Sequence, residues 1–230
     1  MKRYFGLVIA IAALLLGGCA GTPQREVSLA QEVLGPKTGR VGVAMTPLPK
    51  ADTQFPGAYC LLCLAAASLA NSTLTSHVQT LPTEDVSRLK GEIAGLITGK
   101  GMKAHVIEES IDLDALPEFG TKGPDIALKD FSSLRRKYDI DKLVVISIHR
   151  LGVVRSYSAY FPTSDPHGAI GGLGYMIDLA SNRYEWYQPM GVTKSVDGEW
   201  DEPPKFPGVT NAYFQAVEAG RDMLLKPFSN

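Results

Sequence analysis

Apolar positions along the chain switch between a period of two and a period of three to four, and the switches mark the elements. Val41, Val43 and Met45 alternate within Arg40 to Leu48, predicting a strand that Pro47 and Pro49 end. Val86, Leu89, Ile93, Leu96 and Ile97 recur at helical spacing between Thr83 and Lys100. Thr83 stands at the cap position, Glu84 and Asp85 fill the first turn, and Gly99 and Gly101 stop the helix. Lys103 to Glu108 predicts a second strand, and Asp130 to Tyr138 a short helix with Asp130 as its cap. Lys142 to His149 is β-branched and nearly continuously apolar, as expected of a central strand covered on both faces.

The second half reads as antiparallel. Gly152 to Phe161 alternates, and Pro162 to His167 is a turn-rich loop. Ala169 to Leu179 is a strand holding Gly171, Gly172 and Gly174, and the Ser181-Asn182 turn leads into a strand from Arg183 to Ser195, interrupted at Pro189. After a Pro-rich loop at 202–208, Ala212, Val217, Gly220 and Leu224 share one side of a helix from about Thr210 to Leu225, with Phe214 and Met223 close by. The expected fold is α+β: a mixed sheet with helices mainly on one face, in the order β-α-β-α-β-β-β-α.

One stretch fits neither period. Ala58 to Ala70 (AYCLLCLAAASLA) runs for 13 residues with Ser68 its only clearly polar side chain. It is too short to cross a bilayer, which takes about 20 residues. The expected role is a helical segment buried in the core, or an apolar face, Leu62 included, given to a partner subunit or to the membrane.

The N-terminus changes the picture most. Lys2 and Arg3 precede an apolar run of 11 residues, Gly6 to Leu16, which has the length of a signal peptide rather than of a membrane span. Leu16-Gly17-Gly18-Cys19 follows and looks like a bacterial lipobox, with small residues beside the cut and Cys19 as the lipidated new N-terminus. Ala20, where an Asp would favour inner-membrane retention, favours the outer membrane. Residues 1–18 are thus expected to be a signal peptide, 19–37 a flexible polar tether, and 38–230 one globular domain. The formal charge of −1, becoming −3 once Lys2 and Arg3 are removed, disfavours nucleic acid as a partner.

Motifs for chemistry are few. Cys60 and Cys63 form C-x-x-C, but apolar residues lie between and after them, so a structural disulfide or a buried pair is expected ahead of catalytic redox chemistry. The four histidines are scattered, and the acids from Asp197 to Glu202 lack calcium-loop spacing, so neither metal nor cofactor is expected. Ser87-Arg-Leu-Lys90 and Lys37-Thr-Gly39 match S-x-x-K and K-T-G in the wrong order, which reads as chance. The glycines from Gly168 to Gly174 suit a bulged or closely packed strand better than a phosphate cradle. Tyr184 and Trp186, two apart on one strand, are expected on one face, as cross-strand packing or as a partner surface.

The lipobox at Leu16 to Cys19 and the βαβαβββα order of residues 38–228 together resemble envelope lipoproteins with the fold of the N-terminal domain of TolB. That group includes the curli secretion lipoprotein CsgG and the penicillin-binding-protein activator LpoB. FPGAYCLLCLAAAS from Phe55, SAYFPTSDP from Ser158 and WDEPPKFP from Trp200 also resemble stretches of a proteobacterial lipoprotein family. The resemblance implies binding or assembly and no enzyme chemistry. The expected function is a non-enzymatic outer-membrane lipoprotein that binds or helps assemble an envelope complex, with an envelope protein or further copies of itself as partner. The alternative is a subunit of an oligomeric secretion channel of curli type, in which 58–70 and the strands at 152–179 enter the membrane.

Overall fold

The computed structural model describes residues 23–229, so the signal peptide and Cys19 lie outside the described residues. The strands are β1 (Arg40–Met45), β2 (Asp52–Gln54), β3 (Lys103–Val106), β4 (Lys142–Val154), β5 (Tyr157–Ser158), β6 (Phe161–Pro162), β7 (His167–Asp178) and β8 (Arg183–Ser195). The helices are α1 (Leu61–Ala70), α2 (Ser72–Val78), α3 (Glu84–Ser87), α4 (Leu89–Gly99), α5 (Ser132–Tyr138) and α6 (Pro207–Ser229). The main sheet runs β3-β1-β4-β7-β8 and is mixed. β1 is parallel to β3 and β4, whereas β4, β7 and β8 are antiparallel. β2 pairs with the far end of β4, Asp52 opposite Gly152.

Packing divides at the sheet. On one face Ile93 and Ile97 of α4 and Val209, Tyr213, Val217, Leu224 and Phe228 of α6 meet Val43, Ile146, Ile170 and Met176. On the other, Phe131 and Leu134 beside α5 meet Val145, Tyr175 and Ile177. The two long helices therefore share one face, and β4, with apolar residues toward both, is the central strand that its composition predicts.

Several boundaries differ from expectation for local reasons. The helix expected from Thr83 breaks at Arg88 into α3 and α4, and Thr83 caps α3 with its carbonyl, not its hydroxyl. Asp130 accepts a bond from Ser132 N–H at 2.9 Å, yet Phe131 holds the cap position of α5. The strand expected at Gly152 to Phe161 is instead the end of β4 followed by the separate β5–β6 hairpin. The stretch from Val27 to Lys37 is not a free tether. Val27 exchanges two backbone bonds with Tyr187, and Leu34 is buried in the core.

The glycines of β7 are close-packing sites. A Cβ on Gly174 would lie 2.3 Å from the Trp186 ring, and one on Gly168 would lie 2.1 Å from the Ala212 carbonyl of α6. Their absence lets the indole and the helix backbone rest on the strand.

Trp186 is 1% exposed and packs edge-on against Phe228, 5.0 Å between centroids, so it is core and not partner surface. A bulge explains the error. Trp186 pairs with Met176 and Tyr184 with Ile177, which leaves Glu185 as the extra residue. Tyr184 is thereby turned to the opposite face from Trp186, where it meets Tyr175 and Tyr187 at 5.6 and 4.9 Å. Burial, with Tyr187 alongside, pushes its phenol up to about 12.

Candidate functional site

From residue 53 to residue 83 the chain has no Asp, Glu, Lys or Arg. This segment leaves β2, crosses the end of the sheet and forms α1 and α2, which meet at 74°. Its entry is clamped to the β5–β6 hairpin. Tyr157 N–H donates to the Pro56 carbonyl at 2.8 Å and Ala159 N–H to that of Gly57 at 3.2 Å. Gly57 has φ +93°, and a Cβ there would sit 1.8 Å from the Tyr157 carbonyl, so only glycine fits this approach.

Helix α1 buries a narrow stripe. Cys63 and Ala67, one turn apart, pack with Ala58, Tyr157 and the half-buried Phe55 in a cluster separate from the two main cores. The other eight residues of α1 are exposed. Leu61 is 84% exposed, Leu62 70%, Leu64 45% and Leu69 79%, beside Tyr59 at 91%. Tyr160 and Phe161 of the adjoining hairpin add 50% and 73%. Of the two roles expected for 58–70, the core helix is overturned, and the segment is instead an exposed apolar face. The helix spends only its small residues on the fold, and its leucines face outward.

A buried asparagine at the joint of α1 and α2 fixes the face. Asn71 is 3% exposed. Its Nδ2 donates to the Ala67 carbonyl and to Tyr157 Oη, both at 2.7 Å, and its Oδ1 accepts from Arg155 at 2.8 Å. Arg155 in turn donates to the Ser164 carbonyl and stacks over Trp200 at 4.4 Å. The apolar face is thus mounted on a satisfied polar network, which holds it in one geometry.

The cysteines sit at the start of α1, not within a buried run. Cys60 is the exposed cap residue and Cys63, 3% exposed, lies one turn inside. They are joined as a disulfide with Cα atoms 5.0 Å apart. Cys63 N–H donates to Cys60 Sγ at 2.9 Å, and Tyr160 Oη is 3.7 Å from the same sulfur.

Of the residues singled out in the sequence, Leu62, Cys60 and Cys63 converge here, while Tyr184 lies on β8, far along the sheet, and Trp186 is core. Tyr59, Leu61 and Leu69 belong to the 58–70 stretch that the sequence offered as an apolar face, whereas Asn71 and Tyr157 as its supports were not read from the sequence. The readable signal was the charge-free run without an amphipathic stripe. The strands at 152–179, expected to enter a membrane in the channel reading, include β7, which is held between β4 and β8 inside the sheet. Among the described residues no single helix is long and apolar enough to cross a membrane, and no group of three or more His, Cys, Asp or Glu could hold a metal ion.

No family model matches the chain, and no curated protein does. Among solved structures the chain is similar to the PelC dodecamer from Paraburkholderia phytofirmans, with 10% identity over 89% of this chain and 95% of that one, TM-score 0.39. It is similar to a Xanthomonas campestris protein of the DUF330 family, with 11% identity over 90% and 93%, TM-score 0.39. It is also similar to a lipoprotein from Neisseria meningitidis, with 10% identity over 78% and 95%, TM-score 0.31. At similarities of this size neither a family nor a function passes to this chain.

Proposed function

We propose that the chain is a non-enzymatic outer-membrane lipoprotein that binds, or helps assemble, a cell-envelope protein complex, and that the α1–hairpin face is where its partner docks. The observation that carries this reading is the rigidly mounted apolar face of Tyr59, Leu61, Leu62, Leu69 and Phe161, exposed on a domain with two well-filled cores. Burying one leucine contributes roughly 1.5–3 kcal/mol, so four exposed on one short helix are a large reserve for association. The lipobox at Leu16 to Cys19 supports the anchored location.

The distance between the anchor and the face follows from the chain. Val27 is fixed at Tyr187, level with Tyr175 and Val145 of the sheet. Eight residues back to Cys19 reach at most about 29 Å. The docking face lies beyond Val154, roughly 30 Å farther along β4.

Native electrophoresis of outer membranes extracted in mild detergent tests this. The lipoprotein should migrate in a complex that disappears in Leu62→Asp/Leu69→Asp, while the purified variant keeps its circular dichroism. A purified wild-type domain that reproduces the complex alone identifies the partner as a second copy. An intact complex in the double variant, with loss only of the delipidated domain's flotation with liposomes, refutes protein docking.

A further inference from the structure

We propose that the Cys60–Cys63 disulfide is a site of thiol–disulfide exchange, through which this chain accepts two electrons from the dithiol of a protein and is transiently joined to it at Cys60. This goes beyond the docking reading: the chemistry is that of the sulfur pair at the start of the same face.

Three features of the pair carry it. First, the two sulfurs are unequal: Cys60 is exposed and Cys63 is 3% exposed, so an incoming thiolate has one accessible sulfur to attack. Second, the pair occupies the cap and first turn of α1, a ten-residue helix, and the Cys63 N–H points at Cys60 Sγ at 2.9 Å. A helix N-terminus and an aimed N–H both favour sulfur carrying negative charge. The stretch from residue 53 to 83 itself carries no Asp, Glu, Lys or Arg to oppose that field. Third, the disulfide contributes little to the fold as a cross-link. It closes a loop of sequence separation 3, and the cap bond to Cys60 and the clamp at Gly57 already hold the start of α1. A buried structural bridge would show neither an open sulfur nor a surrounding collar of exposed Tyr59, Leu61 and Leu62 on which a partner's peptide can lie.

The exchange balances as follows. A thiolate of the partner attacks Cys60 Sγ. The Cys60–Cys63 bond breaks, its electron pair leaves on Cys63 Sγ, and that sulfur takes up a proton. The chain and its partner are now joined through Cys60. The partner's second thiolate attacks the partner sulfur of this mixed disulfide, closing the partner's own disulfide. Cys60 Sγ leaves with its electron pair under the Cys63 N–H and is then protonated. The partner dithiol loses two electrons and two protons, and the cysteine pair gains both. One chain oxidises one dithiol, so the step is stoichiometric and compatible with a non-enzymatic role. An oxidising compartment, which the lipobox implies, supplies the disulfide state at the outset.

The test uses the mature wild-type chain with dithiothreitol as the dithiol, followed by alkylation and mass measurement. The pair should be fully reduced without denaturant while circular dichroism stays native. In Cys63→Ala, oxidised glutathione should form an adduct on Cys60 about tenfold faster in the folded than in the urea-unfolded chain. In folded Cys60→Ala, Cys63 should form none. A wild-type disulfide that yields only after unfolding refutes the proposal, as does a Cys60 adduct that forms no faster in the folded chain. The wild-type measurement stands even if a variant fails to fold. Both readouts are independent of any complex in the outer membrane, so failure here leaves the docking reading to its own experiment.

Discussion

Asn71 Nδ2 donates a hydrogen bond to Tyr157 Oη at 2.7 Å, joining residues 86 positions apart and tying the exposed helix to the end of the sheet. Both groups are buried, but they depend on this bond unequally. Tyr157→Phe should cost about 1 kcal/mol, because Asn71 keeps its bonds to Ala67 and Arg155. Asn71→Leu should cost about 2–3 kcal/mol, because it leaves both the tyrosine hydroxyl and a face of Arg155 without a partner. Urea unfolding checks both. Equal costs would show that the network is not shared in this way.

Leu62→Asp and Leu69→Asp should leave the isolated domain as stable as wild type, within about 0.5 kcal/mol. These side chains are 70% and 79% exposed and pack on neither main core. The contrast is Ala67→Asp, which places a carboxylate in the stripe beneath α1 and should detach the helix. Thermal melts of the three proteins check the difference. A loss of several degrees in Leu62→Asp would mean that the face is covered within the chain.

Much of the sheet was legible in the sequence because its elements satisfy their own periods. β8 runs from Arg183 to Ser195 as expected, but without the interruption expected at Pro189, which stays paired opposite Leu173. Proline is tolerated there because β8 is the last strand of the sheet, and its outer side is bridged at Tyr187 and Arg183 rather than at Pro189. What was not legible turns on single residues. One extra residue at Glu185 separates Tyr184 from Trp186, and no alternation pattern announces it. The candidate site was half legible. A run of leucines and alanines signals burial, but not whether the chain or a partner does the burying. Here the structure decides it: Cys63 and Ala67 face the fold and pack with Ala58 and Tyr157, while the leucines of α1 face outward.

Gly174→Ala should destabilise the domain by about 1–3 kcal/mol, since the new methyl falls 2.3 Å from the Trp186 ring and 2.8 Å from Leu224. Gly191, on the same sheet, has nothing within 4 Å of a Cβ. Gly191→Ala should therefore be neutral or slightly stabilising. Trp186 fluorescence during denaturation reports both, and a shifted emission in native Gly174→Ala would show the indole displaced.

The ion pair of Lys142 and Glu185 gives the domain a pH dependence with a definite sign. Lys142 is 6% exposed and its ammonium binds both carboxylate oxygens of Glu185. Burial pushes the Glu185 carboxyl up from its ordinary value, and Lys142 opposes this only in part. A carboxyl raised in the folded state adds stability that is fully present below its unfolded pKa and is lost as pH rises through the folded one. Lys142→Met removes the opposing charge and should raise that carboxyl further, leaving an unpaired half-buried carboxylate at neutral pH. The expected cost near pH 7 is about 3 kcal/mol. The cost should shrink on acidification below neutral pH, as Glu185 takes up its proton. Lys142→Met/Glu185→Gln removes the charge outright, so it should recover most of the loss at neutral pH and abolish that part of the pH dependence. Urea unfolding of the three proteins at neutral and at more acidic pH checks the sign. A penalty in Lys142→Met that stays constant with pH would assign it to lost packing of the lysine stem rather than to the stranded carboxylate.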